Sequence, residues 1–313
     1  MPASDVVFAV LCTASHWSQA RACLASLRRH APDVGLAFLA VDGFDPGERE
    51  TLGAERLDPA ECVDVEILAA MRARYSPMAL SCALKPCLIG ALLRRGTPIV
   101  HYVDADTLFF ADPAPLTRFM AAHDVALTPH CLTPIPDDGY LPSMLTILRA
   151  GVHNAGYVGV ANTEGGRAFV AWWADRLREH GQYAPADGLN HDQRWLDLAP
   201  SLFPGTGLQR HPGANVAYWN LHERIPTRRA DGGYDVGGEP LLFYHFSGWS
   251  PREPERVSRH SQRHVAAPGS ALAGILAHYA DNVGPPADPE QRETTPVSAK
   301  AIGLWLRTVF ARR

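Results

Sequence analysis

The sequence predicts an α/β fold: a mostly parallel central sheet flanked by helices, with a helical C-terminal tail. Three observations predict it. Short apolar runs alternate with stretches of helical periodicity through the N-terminal half. That β-α-β order implies parallel strands joined by right-handed crossovers. Over 313 residues, 46% are hydrophobic and 20% charged, so the chain is globular and long enough to bury a core without staples.

The elements follow in order. Val6–Cys12 is a continuous apolar run, as expected of a strand covered on both faces. Trp17, Ala20, Leu24 and Leu27 then fall at helical spacing, and Pro32 lies just beyond. Residues 36–41 form the second apolar strand. Val63, Val65 and Ile67 alternate with Asp64 and Glu66, which predicts a half-buried strand. Residues 78–95 read as a helix that Pro86 bends or breaks. Ile99–Val103 is the next strand. Asp112 is a candidate cap, with Pro113 at the first helical position. Residues 129–151, rich in Pro, Gly and Asp, read as a long loop of the kind that carries function. A short strand at 157–160, a helix at 165–180 carrying Trp172 and Trp173, and a strand at 241–246 complete the pattern.

Composition narrows the function. The 29 basic and 33 acidic residues leave a net charge of −4, which argues against a nucleic-acid backbone as partner. The six cysteines form no C-x-x-C and match no zinc spacing, so they read as reduced thiols in or near the core. No secretory signal is evident, because Asp5 stands where positive charge belongs and the first apolar run is short. No stretch approaches the ~20 apolar residues of a membrane span. A cytoplasmic setting is the expectation.

Chemistry concentrates at Asp104-Ala105-Asp106, directly after the strand Ile99–Val103. In an open parallel sheet, ligands bind beyond the carboxyl ends of the strands. Two carboxylates placed there repel each other unless a positive group joins them. A hard divalent cation does so, and such ions take carboxylates together with phosphate oxygens.

The strand followed by Asp-x-Asp, with Lys85-Pro86 upstream, resembles the nucleotide-sugar-binding half of GT-A glycosyltransferases, a Rossmann-like fold. Three later segments are similar to the retaining glycosyltransferase family eight: Asn154-Ala155-Gly156 like its Asn-x-Gly, Asp192-Gln193 like its Asp-Gln, and His245-Phe246-Ser247-Gly248 like its His-x-x-Gly. They occur in the family's order. Two family signatures are missing. Trp249-Ser250-Pro251-Arg252 replaces its Lys-Pro-Trp, and Ala83-Leu84-Lys85-Pro86 stands where its Tyr-x-Arg-Leu would be.

The resemblance implies a metal-dependent glycosyltransferase moving a sugar from a nucleotide diphosphate sugar, a UDP-sugar for preference, to a hydroxyl acceptor. Asp104, Asp106 and His245 would hold Mn²⁺ or Mg²⁺. Lys85 or Arg252 would add positive charge for the phosphates, with Gly248 beside them. Asn154, Asp192 and Gln193 would meet the donor sugar, and Thr13 and Asp42 the base and ribose. Trp219 and Trp249 are acceptor-platform candidates, while Trp172 and Trp173 read as core. Residues 1–283 would be one catalytic domain, with 1–112 as its nucleotide-binding half and 113–283 as its sugar and acceptor half. Two alternatives are a sugar nucleotidyltransferase and a non-catalytic carbohydrate-binding protein. Thr13 to Trp17 lacks the Gly-rich basic loop of the former.

Residues 284–296 form a Pro- and acid-rich linker. In the tail, 297–313, Ile302, Trp305, Leu306, Val309 and Phe310 share a helical face, Lys300, Arg307, Arg312 and Arg313 supply charge, and no acid occurs. This is the pattern of a segment lying in a membrane interface. Peripheral contact with the cytoplasmic face and a lipid-linked or envelope glycan acceptor follow as expectations.

Overall fold

The computed structural model describes residues 5–284. In chain order the first elements are β1 (Val6–Cys12), α1 (Trp17–His30), β2 (Gly35–Ala40), β3 (Glu55–Leu57), α2 (Pro59–Cys62), α3 (Val65–Arg74), α4 (Pro77–Arg94) and β4 (Ile99–Val103). Then come β5 (Thr107–Phe109), α5 (Ala114–Met120), β6 (Val125–Pro129), α6 (Met144–Ala150), β7 (His153–Ala161) and α7 (Glu164–Leu177). Short pieces follow: β8 (Tyr183–Ala184), β9 (Leu189–Asn190), α8 (Ala199–Leu202), β10 (Thr206–Leu208), β11 (Pro226–Arg228), β12 (Tyr234–Val236) and β13 (Glu239–Pro240). β14 (Phe243–His245) and α9 (Ala271–Val283) end the described chain.

Seven strands form the main sheet in the order β10-β6-β7-β4-β1-β2-β3. β1 runs parallel to β2 and β4, β2 to β3, and β6 to β10; β7 alone is antiparallel to its neighbours. The apolar run of β1 has the reason the sequence suggested. Ala9 and Leu11 point into a core shared with Leu84 and Leu88 of α4 and Trp173 of α7. Phe8 and Val10 point the other way, into a core with Leu24 and Leu27 of α1 and Leu116 of α5. Successive strand residues face opposite sides, so a strand covered twice must be apolar throughout.

Several expectations need correction. Residues 63–67 are not a strand. Asp64 accepts hydrogen bonds from the N–H groups of Glu66 (2.8 Å) and Ile67 (3.4 Å) and starts α3. Val65 is exposed while Leu68 and Met71 are buried, so the period is helical and three residues of alternation misled. The 129–151 stretch is not loop throughout. Ser143 and Thr146 form a reciprocal cap that opens α6. α4 continues through Pro86 as one helix. It is also apolar and long enough to match a membrane span by composition, but 67% of it is buried in the protein. Asp112 Oδ1 accepts from Ala114 N–H at 2.9 Å, so α5 begins one residue later than Pro113 suggested.

All six cysteines are free, and burial pushes the Cys12, Cys23 and Cys62 thiols up to about 12, which keeps them protonated and inert. Beyond Gly284, the predicted linker and the basic tail lie outside the described residues.

Candidate active site

Parallel pairing sets the place of the site. Because β1, β2 and β4 share one direction, Thr13, Asp42 and Asp104 all stand just past the carboxyl-terminal edge of the sheet. β4 ends at Val103. Asp104 N–H then donates to Gly156 O (2.9 Å), and Thr107 N–H donates back to Asp104 O (3.2 Å), closing a turn that presents both carboxylates. β5 leaves this turn and pairs antiparallel with β14, with Thr107 opposite His245. Residues 139 and 141 positions apart in sequence thereby meet: His245 Nε2 lies 3.0 Å from Asp106 Oδ1 and 3.9 Å from Asp104 Oδ2.

One ligand atom from each of Asp104, Asp106 and His245 falls within 4.8 Å of the others. Two carboxylates and an imidazole converging at this range suit a divalent cation of the Mn²⁺ or Mg²⁺ class, so the residues fit the implied metal. Burial alone would lower the His245 pKa, but the charge and hydrogen bond of Asp106 outweigh it and raise the imidazole above its ordinary value. Asp106 moves down for the reciprocal reason: His245 overrides the opposing effect of burial.

Lys85 is placed differently from the sequence reading. It is buried in α4, and its ammonium meets Asp104 Oδ1 at 2.9 Å, Asp192 Oδ2 at 2.9 Å and Ala155 O at 3.2 Å. An ammonium has three donors, so this arrangement leaves none for a phosphate. Lys85 instead clamps Asp104 to the buried Asp192. Burial would lower its pKa, but the two carboxylates more than offset this and raise it. Asp192 goes up, because burial exceeds the attraction of Lys85. Tyr102 OH adds a donor to Asp104 Oδ1 at 2.7 Å. Arg252 is exposed in the turn beyond Ser250.

The Asn-x-Gly and Asp-Gln segments also converge. Asn154 Nδ2 donates to Gln193 Oε1 (3.1 Å), Ala155 N–H donates to the same oxygen (3.2 Å), and Gln193 Nε2 donates to Ala150 O (2.9 Å). Trp173 Nε1 donates to Asp192 O (3.1 Å), so the core helix α7 fixes this corner. Asp42 accepts from Ala14 N–H, at 3.1 Å to Oδ2, and braces the turn after β1, while the Thr13 hydroxyl is 3.0 Å from Ser15 Oγ and His16 Nδ1. Trp219 is buried with its ring edge-on to His245, and Trp249 is buried against Tyr279. Both therefore pack rather than offer an open stacking platform. Gly248 has φ +73 and leaves room for His260 and Ser258.

Sequence reasoning missed Asn215, which contacts both Asn154 and His245, and His130, which lies 3.3 Å from Asn154 Nδ2. Neither sits in a motif. The one local cue is the short polar Asn in Gly213-Ala214-Asn215, a type of residue that tolerates φ +55.

Gly156 is required by His245, since a Cβ there would fall 2.3 Å from the ring's Cε1 and 2.6 Å from Nδ1. Gly156→Ala is expected to push the imidazole off the carboxylates and weaken Mn²⁺ binding about tenfold or more. Calorimetric titration checks it; unchanged affinity would mean that the ring position does not matter.

No family model matches the chain. Two proteins of Bacillus subtilis (strain 168), both described as uncharacterized, are similar to it. YfnF is 26% identical over 236 residues, 74% of this chain and 77% of its own, and YfnD is 27% identical over 254 residues, 78% of each. Among solved structures, the bifunctional glycosyltransferase WbbM matches with a TM-score of 0.52 at 13% identity, over 97% of this chain and 52% of that one. The fold is of the GT-A glycosyltransferase type. The galactosyltransferase LgtC, solved with donor and acceptor sugar analogues, matches at a TM-score of 0.47 and 14% identity, over 88% of this chain and 95% of that one.

Proposed function

We propose that the chain is a metal-dependent glycosyltransferase, allied to the retaining family eight, that transfers a sugar from a nucleotide diphosphate sugar to a hydroxyl acceptor. The convergence of Asp104, Asp106 and His245 at the carboxyl-terminal edge of the sheet carries this reading. The cation, when bound, supplies Lewis-acid neutralisation of the charge that develops on the diphosphate leaving group. The chain's own residues do the rest. Asp104, Asp106 and His245 fix where the phosphates lie. Lys85 holds Asp192 and Asp104 in one frame, so the sugar-side and metal-side carboxylates keep a constant separation. Asp192 offers a short polar group to sugar hydroxyls, while Asn154, whose amide is taken up by Gly156, Asn215, Gln193 and His130, holds the corner beside it instead of meeting the sugar as the sequence suggested. Gln193, whose amide is engaged at both ends, holds Asn154 in place. The ordered Asn-x-Gly, Asp-Gln and His-x-x-Gly segments favour retention at the anomeric carbon and a UDP-sugar as donor.

For the acceptor we favour a lipid-linked or envelope glycan. Two features support it: the basic amphipathic composition of 297–313, and the exposed Met144, Leu145 and Leu148 of α6, the helix whose Ala150 carbonyl anchors Gln193.

The test is a thermal-shift screen of nucleotide sugars with and without Mn²⁺, followed by assay of donor hydrolysis. A ligand at 100 times its dissociation constant should stabilise the fold by about 2.7 kcal/mol. The right donor should stabilise the protein only with the metal, and slow metal-dependent release of the nucleoside diphosphate should accompany it. Stabilisation by nucleoside triphosphates instead would favour a nucleotidyltransferase.

A further inference from the structure

Asn215 is buried at the meeting point of the metal side and the sugar side of the site. Its side chain touches three groups. Nδ2 is 2.7 Å from Thr128 Oγ1 and 3.0 Å from Asn154 Oδ1, and Oδ1 is 3.2 Å from His245 Nδ1.

The direction of each bond follows from backbone groups, which have no ambiguity. Gly156 N–H can only donate, so the Asn154 atom 3.0 Å from it is the oxygen. The same oxygen faces Asn215, which must therefore present its NH₂ there and its carbonyl oxygen to His245. An amide oxygen only accepts, so His245 Nδ1 carries a hydrogen. On the far side, Ala155 N–H identifies Gln193 Oε1 as an oxygen, and Ala150 O requires Gln193 Nε2 to donate. The result is a chain of four hydrogen bonds running one way: His245 to Asn215, Asn215 to Asn154, Asn154 to Gln193, and Gln193 to the Ala150 carbonyl.

We propose that Asn215 is a positioning residue. It fixes the tautomer of His245 with hydrogen on Nδ1 and keeps Nε2, the atom facing Asp106 and Asp104, as the nitrogen available to a metal. A ligating histidine that donates its other N–H is held in orientation and made more basic, and bonds aligned in one direction polarise each other to the same end. The chain also ties the orientation of His245 to Asn154 and Gln193, so the metal face and the sugar face are set together. This inference rests on the metal-site reading of Asp104, Asp106 and His245.

The experiment is Mn²⁺ titration by calorimetry of the wild-type protein, Asn215→Leu, Asn215→Ser and Asn215→Asp. Thermal unfolding is run on each, with nitrogen-15 NMR of the His245 ring in the Mg²⁺-loaded state. Leucine cannot accept the Nδ1 hydrogen, and serine is too short to reach it. Both should bind Mn²⁺ about 10- to 100-fold more weakly and show a mixed tautomer. Asn215→Asp keeps an acceptor for Nδ1–H but sets an oxygen against Asn154 Oδ1, so it should keep the Nδ1–H tautomer and bind Mn²⁺ more tightly than the Leu and Ser variants while unfolding at lower temperature. Serine is the smaller change and reports if the leucine variant does not fold. Wild-type affinity and unchanged ring-nitrogen shifts in a folded Leu or Ser variant would overturn the positioning role alone. Absence of Mn²⁺ binding by the wild-type protein would overturn the metal-site reading and this inference with it.

Discussion

Asp106→Ala is expected to lower turnover by at least three orders of magnitude while leaving the protein folded. The size follows from the role proposed for the site. Removing one of three protein ligands empties it at ordinary metal concentrations, and the lost electrostatic stabilisation is worth several kcal/mol, each ~1.4 kcal/mol being tenfold in rate. The mildness for folding follows from the surroundings. The Asp106 side chain is 28% exposed and meets His245, and that imidazole keeps its hydrogen bond to Asn215 when the carboxylate is gone. Asp104→Ala should behave differently, because Asp104 also holds Lys85 and Tyr102. It should lose activity and also unfold at lower temperature. Rate constants, Mn²⁺ titration and thermal unfolding of the two variants separate the effects. Wild-type turnover by Asp106→Ala in the presence of a chelator would remove the metal from the mechanism.

The contrast between these two aspartates also marks how far the sequence could be read. Asp-x-Asp was legible because both residues follow a strand whose apolar run announces burial on two faces, which places them at a known edge of the sheet. The strands β1, β2 and β4 were legible for the same reason. His245 became visible only through the ordered set of short segments, since its meeting with Asp106 depends on the antiparallel pairing of β5 with β14. Lys85 was seen, but its role was not. Nothing local to α4 indicates that its ammonium reaches Asp104, Asp192 and the Ala155 carbonyl, residues distant in sequence. Asn215 gave no signal beyond its residue type, because a positioning residue is defined by its neighbours in space. The errors at 63–67 and 129–151 had a different origin. In both places a side-chain cap, Asp64 or Ser143, starts a helix in a stretch too short for periodicity to declare itself.

Lys85→Met is expected to abolish activity and to destabilise the fold by about 3–5 kcal/mol, the cost of breaking a buried ion pair by removing one partner. Methionine fills similar volume, so packing changes little, but Asp192, 3% exposed, loses the ammonium that accounts for its charge. Its carboxyl, already raised by burial, would rise further without Lys85, and the sugar-side carboxylate would be protonated and unclamped. The double variant Lys85→Met/Asp192→Asn discriminates this account from simple loss of packing. An amide at 192 needs neither a proton nor a counter-charge to be buried, so that cost disappears, and Asp104, whose side chain is 27% exposed, can be solvated on its own. The double variant should therefore regain most of the stability lost by Lys85→Met, since replacing both members of a buried pair costs far less than removing one. It should regain none of the turnover, because the fixed separation between Asp192 and Asp104 is gone. Chemical denaturation of the wild-type protein and the three variants of this cycle measures the coupling directly. If Lys85→Met proves as stable as the wild type, the ammonium is not the counter-charge that holds the two carboxylates together.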